Sequence, residues 1–179
     1  GGKVYRDGVD ITPDDIYAHH DKTGELPKTT AANVDEFYNF FKKFADEGKT
    51  VIHFDISSGM SSTFNNARIA AEEFENIYVI DSANLSTGIG LLVVAAAEMV
   101  NEGLEAEEIV AKINDMVPKV DASFVIDNLE YLYKGGRCSA LAAFGANMLK
   151  LKPCIEVKNG AMGVSKKYRG RYADVLKTY

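Results

Sequence analysis

The sequence predicts an α/β fold in which a parallel sheet flanked by helices is followed by the start of a second α/β domain. Two apolar runs, at residues 51–56 and 77–81, each lead through a turn with serine and glycine into a helical pattern of apolar residues. Strands that alternate with helices favour a parallel sheet, because a crossover helix returns the chain to the same edge. Beyond residue 120 the alternation ends, and Asn159-Gly160 between two apolar runs is typical of an antiparallel hairpin.

The N-terminal segment is polar and rich in turn-forming residues. Residues 4–8 predict a short strand that an Asp-Gly turn closes. Thr12 followed by Pro13 is typical of a helix start, since threonine caps a helix and proline fits its first position. Asn33 is predicted to cap a second helix over residues 34–47, which has one apolar face and a glycine after its end.

The central part contains two strand–turn–helix units. In the first, the strand at 51–56 is followed by a helix whose apolar face runs from Phe64 to Phe74. In the second, the strand at 77–81 is followed by a helix over 86–101, whose apolar stripe is predicted to be Leu91, Leu92, Ala95 and Met99. The remaining predicted elements are helices at 106–116, 129–134 and 141–151, strands at 123–126, 154–157 and 161–164, and a final helix beginning near Gly170.

Composition and charge argue against several classes of protein. Of the 179 residues, 46% are apolar and 26% are charged, as is ordinary for a globular protein. The net charge of −6 and the lack of a basic stripe argue against a nucleic-acid partner. The longest apolar stretch, residues 89–100, is too short to span a bilayer, so we do not expect this chain to be an integral membrane protein. Cys138 and Cys154 fit no metal or redox spacing, so we expect no metal or cofactor and a reduced, cytoplasmic setting.

Ser61, Ser62 and Thr63 are predicted to lie between the first strand and its helix. A helix N-terminus presents unpaired N–H groups that favour an anion, and ligands of open α/β sheets bind beyond the carboxyl ends of the strands. These hydroxyls therefore predict a small cup for an oxyanion. The alternative is that Ser61 or Ser62 only caps its helix, and the residues alone leave both interpretations open.

Other functions compete with an oxyanion cup. A serine hydrolase would take its nucleophile from Ser57, Ser58 or Ser61, but the Gly-x-Ser-x-Gly pattern is missing. His53, the only histidine in this region, lies within the strand. A phosphate or nucleotide binder is the stronger rival, since Ser86-Thr-Gly-Ile-Gly90 opens a helix after a strand, although it lacks the P-loop lysine and the three-glycine dinucleotide pattern. A purely structural or interaction module is the third alternative.

A set of short motifs covers nearly the whole chain. Its members are Pro27-Lys-Thr-Thr30, Ile56-Ser-Ser-Gly-Met-Ser-Ser-Thr63, Val79-Ile-Asp-Ser82, Ser86-Thr-Gly-Ile-Gly90, Leu129-Glu-Tyr-Leu-Tyr-Lys-Gly-Gly-Arg137, Leu151-Lys-Pro153 and Arg169-Gly170. In this order the motifs resemble those of the DegV family of bacterial fatty-acid-binding proteins. That family has an earlier strand with a Thr-Asp-Ser-Thr-like motif and continues beyond its Arg-Gly, so we expect an incomplete copy. Two motifs also differ, since the family often has Ser-Gly-Thr at residues 61–63 and Ser-Gln-Pro-Ser at residues 30–33.

The resemblance implies a carrier rather than an enzyme. It implies a Rossmann-like N-terminal domain over residues 1–120 that lacks its first strand, and residues 121–179 as the beginning of a truncated C-terminal α/β domain. One long-chain fatty acid would lie between the two domains. A separate fatty acid kinase would phosphorylate the bound carboxylate, giving an acyl phosphate for phospholipid synthesis. By motif, the residues implied at the carboxylate are Thr29 and Ser61, with Thr30, Ser62 and Ser86 as neighbours.

Candidate residues for the acyl tail and for the kinase are weaker. A fatty acid needs a long apolar slot, and six apolar residues are candidates for lining it, although each also fits an ordinary core: Phe124, Ile126, Leu141, Phe144, Met148 and Ile155. Arg137 follows two glycines that free its guanidinium to bind an anion or dock a kinase, or it offsets a helix dipole at a glycine cap. Arg169 lies in a basic cluster that either contacts an acidic partner or is a solvated face.

Overall fold

The computed structural model describes residues 2–142 and 151–179 of the chain. The chain forms two compact units, Gly1–Thr30 and Ala31–Tyr179. The described helices are α1 (Pro13–Thr23), α2 (Val34–Ala45), α3 (Thr63–Ala71), α4 (Thr87–Asn101), α5 (Ala106–Met116), α6 (Glu130–Gly135) and α7 (Tyr172–Thr178). The described strands are β1 (Val51–Asp55), β2 (Ile77–Asp81), β3 (Ala122–Val125), β4 (Lys152–Lys158) and β5 (Ala161–Tyr168).

The first unit consists of a turn and α1. Thr12 accepts a hydrogen bond from the Asp15 N–H, and the Asp15 carboxylate accepts one from the Thr12 N–H, so the predicted cap forms a full capping box. The strand predicted over residues 4–8 is wrong. The Asp-Gly turn forms, and the Gly8 N–H donates to Ile11 O within it. In the described part of this segment, the only β-type pairing is an isolated bridge between Asp7 and Ile11.

The second unit begins with α2 and a parallel pair of strands. β1 and β2 pair in register from Val51 opposite Ile77 to Asp55 opposite Asp81. Successive side chains point to opposite faces of a sheet, so both faces need cover. α2 and α3 cover one face through a buried cluster of Phe37, Phe41, Ala67, Ala70, Ala71 and Ile77. α4 and α5 cover the other through Ile80, Leu92, Ala96, Ile109 and Ile113. The predicted parallel sheet with flanking helices is therefore confirmed.

The apolar stripe predicted for α4 is wrong at Leu91. Leu91 is 60% exposed, whereas Leu92 is fully buried and Ala96 packs beside it. The prediction places Leu91 on the buried face of the helix. In the structure, Leu92 and Ala96 face the core and Leu91 faces solvent. α4 is apolar around most of its circumference, so its sequence does not single out one face.

A second, antiparallel sheet has the order β3-β4-β5. The turn between β4 and β5 has Asn159 at φ 51° and Gly160 at φ 74°, the left-handed conformations that a tight hairpin turn requires. Lys158 pairs with Ala161 across this turn. The predicted hairpin is confirmed, and with it the change from parallel to antiparallel pairing.

β4 begins earlier than predicted. Lys152 and Pro153, which are predicted to stop a helix, lie in the strand, and the register shifts between Pro153 and Ile155 because proline has no N–H for the ladder. The preceding helix predicted over 141–151 falls mostly on residues outside the described ranges. α7 packs on β3, where the Tyr172 hydroxyl donates to Val125 O at 2.9 Å. Within residues 2–142 and 151–179, every helix is too short or too polar to cross a bilayer.

Candidate ligand-binding site

Ser61 lies in the turn that connects β1 to α3, as the sequence predicts. Its Oγ is 2.6 Å from the Thr63 Oγ1 and accepts a hydrogen bond from the Thr63 N–H at 3.2 Å. Ser62 is the residue before α3, but its exposed side chain makes no capping bond. Ser61 therefore does satisfy one N–H group of the helix start, as the capping interpretation requires, whereas Ser62 does not.

Capping and anion binding are compatible at Ser61. A serine hydroxyl has one proton to donate and two lone pairs with which to accept. When the Thr63 hydroxyl donates to Ser61, its N–H and O–H together fill both lone pairs. The Ser61 proton is then left to donate to a carboxylate or another oxyanion. Ser61 is half-buried at this turn, so a ligand can reach it.

The turn that carries Ser61 is held by Ser57, which the sequence indicates only as a candidate nucleophile. The Ser57 carbonyl accepts from the N–H groups of Met60 at 2.9 Å and Ser61 at 3.2 Å. Its Oγ donates to Gly160 O at 2.6 Å and accepts from the Gly59 N–H at 3.1 Å. The only sequence signal for this role is a serine directly after an apolar strand.

The loop after β2 is organised by its own polar groups. The Asp81 carboxylate accepts from the Ser58 N–H at 3.1 Å and from the Ala83 N–H at 2.9 Å, which ties this loop to the Ser61 turn. Gly88 packs against Asn84, since a Cβ at Gly88 would lie 2.2 Å from the Asn84 Oδ1. Gly88, the first glycine of the Ser86–Gly90 motif, is thus accounted for by packing, which weakens the case for a phosphate-cradling loop.

Ser86 and Phe124, predicted for the two ends of a ligand, border the same cavity. Ser86 is exposed and precedes α4 at φ 47° and ψ −119°, with no capping bond from its side chain. The cavity has a volume of about 360 Å³. Its lining residues are Leu85, Ser86, Thr87, Ala122, Ser123, Phe124 and Val157. The structure thus brings one predicted hydroxyl together with one predicted tail residue; Ser61 is not among the lining residues.

The other predicted tail residues lie in the core of the second sheet. Leu141 and Ile155 are fully buried with Leu129 and Cys138, and Phe124 and Ile126 pack against this cluster. Burial also raises the pKa of the Cys138 thiol, because it disfavours the thiolate. Phe144 and Met148 lie outside the described residues.

Thr29 and Thr30 belong to the first compact unit, and both are exposed. They follow Pro27 and Lys28 in a segment after α1 that is neither helix nor strand. Both hydroxyls are therefore accessible to solvent or a ligand. Their role at a carboxylate remains a prediction from the motif.

The environment of His53 does not support a serine hydrolase. Its Nε2 is 3.3 Å from the Asp55 Oδ2, and its ring packs edge-on against Phe37 and Phe41, with centroids 5.5 and 5.2 Å away. A general base must lie within hydrogen-bond reach of its nucleophile. Among the described residues, no hydrogen bond links this ring to a serine hydroxyl, and Nε2 has no hydrogen-bond partner of proper geometry.

The two candidate arginines are both exposed. Arg137 Nη1 donates to Gly135 O at 2.6 Å, beside Gly136, which ends α6 at φ 71°. This geometry fits the helix-capping interpretation of Arg137 and leaves its other N–H groups for solvent or a ligand. Over the described ranges, no group of three or more metal-ligating side chains converges on one point.

Comparison with known families matches residues 1–177 to the family described as "Uncharacterised protein, DegV family". The chain belongs to the DegV family. Among curated relatives, a DegV domain-containing protein of Caldanaerobacter subterraneus is 36% identical over 172 residues, covering 95% of this chain and 61% of that protein. Another, from Clostridium acetobutylicum, is 37% identical over 171 residues, covering 94% and 61%. The chain thus spans about three fifths of the length of these DegV relatives.

Solved DegV structures share the fold. A fatty-acid-binding DegV family protein from Thermus thermophilus superposes with a TM-score of 0.85 at 29% identity, covering 99% of this chain and 65% of that one. A stearic acid-binding protein from Eubacterium ventriosum gives 0.82 at 31% identity, covering 99% and 65%. DegV of Bacillus subtilis, described as a fatty acid binding protein, gives 0.77 at 29% identity, covering 98% and 63%.

Proposed function

We propose that this DegV-family chain binds a long-chain fatty acid and that the Ser61 hydroxyl donates to its carboxylate. The observation that carries the proposal is the Ser61–Thr63 contact, because it can leave the serine proton for an anion. A hydroxyl donor satisfies a carboxylate oxygen without a buried cation. The solved relatives described as fatty-acid-binding proteins support the same class of ligand.

Four further hydroxyls complete the proposed head-group site. Thr29 is proposed as the second donor to the carboxylate. Thr30, Ser62 and Ser86 are proposed as neighbours that keep the mouth of the site polar, and all three are exposed.

The tail is proposed to lie against the apolar side of the second sheet. The described residues that support this are Phe124, Ile126, Leu141 and Ile155, which form or adjoin one apolar cluster. Burying about fifteen methylenes contributes on the order of ten kcal/mol at ~0.8 each, before the cost of ordering the ligand. Tail burial would therefore dominate affinity. The proposal extends to Phe144 and Met148, outside the described residues.

In this proposal the chain itself catalyses no reaction. It presents the carboxylate to a separate cytoplasmic fatty acid kinase, which transfers a phosphoryl group to a carboxylate oxygen and supplies phospholipid synthesis. The exposed side chains of Ser62, Arg137 and Arg169 are consistent with access by a second protein. Charge reversal at Arg169 should lower turnover by the kinase without lowering fatty-acid retention.

The direct test is mass spectrometry of the purified chain, first native and then after organic extraction. One long-chain fatty acid per chain is expected. A clean unliganded mass that persists after incubation with fatty acids would contradict the proposal. A bound phosphate or nucleotide would instead support the rival in which the Ser86–Gly90 loop holds a phosphate.

The paired substitution Thr29→Ala and Ser61→Ala tests the head-group assignment. Each hydroxyl contributes a hydrogen bond to a charged group, so the pair should weaken fatty-acid affinity about a hundredfold. A matched control removes two exposed hydroxyls outside the proposed site, by Thr50→Ala and Ser58→Ala. Equal affinities for the test pair, the control pair and the unmodified chain would refute the roles given to Thr29 and Ser61.

A further inference from the structure

Ser57 joins three segments that are far apart in the sequence. It is 1% exposed, and its Oγ donates to the carbonyl of Gly160, 103 residues away, at 2.6 Å. The same oxygen accepts from the Gly59 N–H at 3.1 Å, and the Ser57 N–H donates to Asn84 O at 2.9 Å. The β4–β5 turn, the Ser61 turn and the loop after β2 therefore meet at one residue, the first two through its hydroxyl and the third through its backbone N–H.

The fit between the β4–β5 turn and the Ser61 turn is close on both sides. A Cβ at Gly160 would lie 2.7 Å from the Ser57 Oγ, and a Cβ at Gly59 would lie 2.8 Å from Gly160 O. Real Cβ atoms do not approach other atoms so closely, so both positions need glycine. The close contact between the two turns therefore depends on the absence of a side chain at both positions.

Ser57 connects the β4–β5 turn to Ser61. The Ser57 carbonyl accepts from the Met60 and Ser61 N–H groups, so the backbone of Ser61 is held by the residue that the β4–β5 turn fixes. A change in the position of Ser57 therefore changes the direction of the Ser61 hydroxyl. β4 also carries Ile155, a residue of the proposed tail site.

We propose that Ser57 is a positioning residue that aims the Ser61 hydroxyl at the ligand carboxylate, and that docking of the β4–β5 turn sets this aim. The inference rests on the proposed fatty-acid function. If the inference holds, the sheet that contacts the acyl tail also determines the hydrogen-bond geometry at the carboxylate. A ligand that displaces β4 would weaken its own carboxylate contact, which links recognition of the two ends.

The test compares the affinities of a long-chain fatty acid and its methyl ester, palmitic acid and methyl palmitate, in Ser57→Ala and in the control Ser58→Ala. Ser58 is the exposed neighbour and lies outside the proposed site. Ser57→Ala should lower the preference for the acid over the ester about tenfold, as expected for one misdirected hydrogen bond. Ser58→Ala should keep the preference of the unmodified chain. An equal loss of both ligands in Ser57→Ala would indicate a merely structural role and overturn the proposal.

Amide exchange measured by NMR provides a second readout that needs no ligand. Ser57→Ala and Gly160→Ala disrupt the contact from opposite sides, and each should accelerate exchange of the Ser61 N–H while leaving the buried strand residue Ile80 protected. Ser57→Ala also removes the atom with which a Cβ at Gly160 would clash. The exchange rate of the Ser61 N–H in the double variant should therefore increase by less than the product of the two single increases. Unchanged Ser61 exchange in both single variants would overturn the proposal.

The two experiments separate this inference from the proposed function. If the unmodified chain binds neither palmitic acid nor its ester, the fatty-acid function fails. The exchange measurement then still decides whether the β4–β5 turn positions Ser61 through Ser57.

Discussion

Gly88 shows how a single residue in a motif can be fixed by packing. Asn84 is buried at 2% exposure, and its Oδ1 accepts from the Leu85 N–H at 2.9 Å, so this side chain stays beside α4. The absence of a Cβ at Gly88 makes room for it. The same argument does not apply to Gly90, where a Cβ would meet no atom within 4 Å.

We therefore expect opposite effects from alanine at these two glycines. Gly88→Ala should lower the free energy of unfolding by about 1–3 kcal/mol, because the Cβ forces a buried amide out of place. Gly90→Ala should raise it by roughly 0.5–1 kcal/mol, since alanine is the better helix former. Urea unfolding of both variants checks the prediction. Equal effects would show that Asn84 does not hold the position described.

The Cys138 thiol should make stability depend on pH. Its pKa is raised in the folded chain by burial, so the folded state keeps its proton at pH values where the unfolded thiol has lost it. The free energy of unfolding should therefore fall as pH rises above the ordinary thiol range. Unfolding curves at several alkaline pH values should show a steeper fall for the unmodified chain than for Cys138→Ala. Identical slopes would contradict the prediction.

At this scale the sequence predicts residues whose partners are close in the chain. The partners in the Thr12–Asp15 and Asn33–Glu36 capping boxes are three positions apart, and both caps are predicted from the sequence. Ser61 is likewise predicted from the strand and helix beside it. The contact of Ser57 is not predictable in this way, because Gly160 lies 103 residues further on.

α4 is the element whose orientation the sequence predicts least well. Its apolar residues surround the helix, so periodicity does not choose between Leu91 and Leu92 for the buried face. Packing against α5 and the parallel sheet decides it. α2 is the opposite case, since its polar and apolar faces are distinct and Phe37 and Phe41 are buried as its pattern predicts.

Neighbouring leucines on α4 provide a matched test of this orientation. Leu92→Ala should cost about 2–5 kcal/mol of unfolding free energy, because it leaves a cavity in a buried cluster. Leu91→Ala should change it by less than about 0.5 kcal/mol, since that side chain is mostly in solvent. Thermal or urea unfolding of the two variants measures the difference. A larger loss at Leu91 would reverse the assigned face.

For the whole molecule, the order of elements is more predictable than their ends. The alternation of strands and helices up to α5, followed by a hairpin, predicts the two kinds of sheet that the structure contains. The N-terminal unit is less predictable, because it has few apolar residues and its turn is held by local bonds such as that between Arg6 and Asp10. The predicted boundary near residue 120 stays a prediction.

Fatty-acid binding should stabilise the whole chain by mass action. A ligand that binds only the folded state adds about 2.7 kcal/mol at a free concentration of 100 times its Kd. The melting temperature of delipidated protein should therefore rise on addition of a long-chain fatty acid, and rise less in the Thr29→Ala and Ser61→Ala pair. Differential scanning calorimetry with and without ligand measures this. A melting temperature that is independent of fatty-acid concentration would argue against binding.

The contact between Ser57 and Gly160 also bears on the order of folding. Closing a loop costs more entropy as the sequence separation of its ends grows, and a long-range contact becomes favourable only after this cost has been met. Because its partners are 103 positions apart in the sequence, this hydrogen bond should be absent at the folding barrier and present only beyond it. Its loss should then mainly accelerate unfolding and barely slow folding. The final direction of the Ser61 hydroxyl would accordingly be set late in folding and lost early in unfolding.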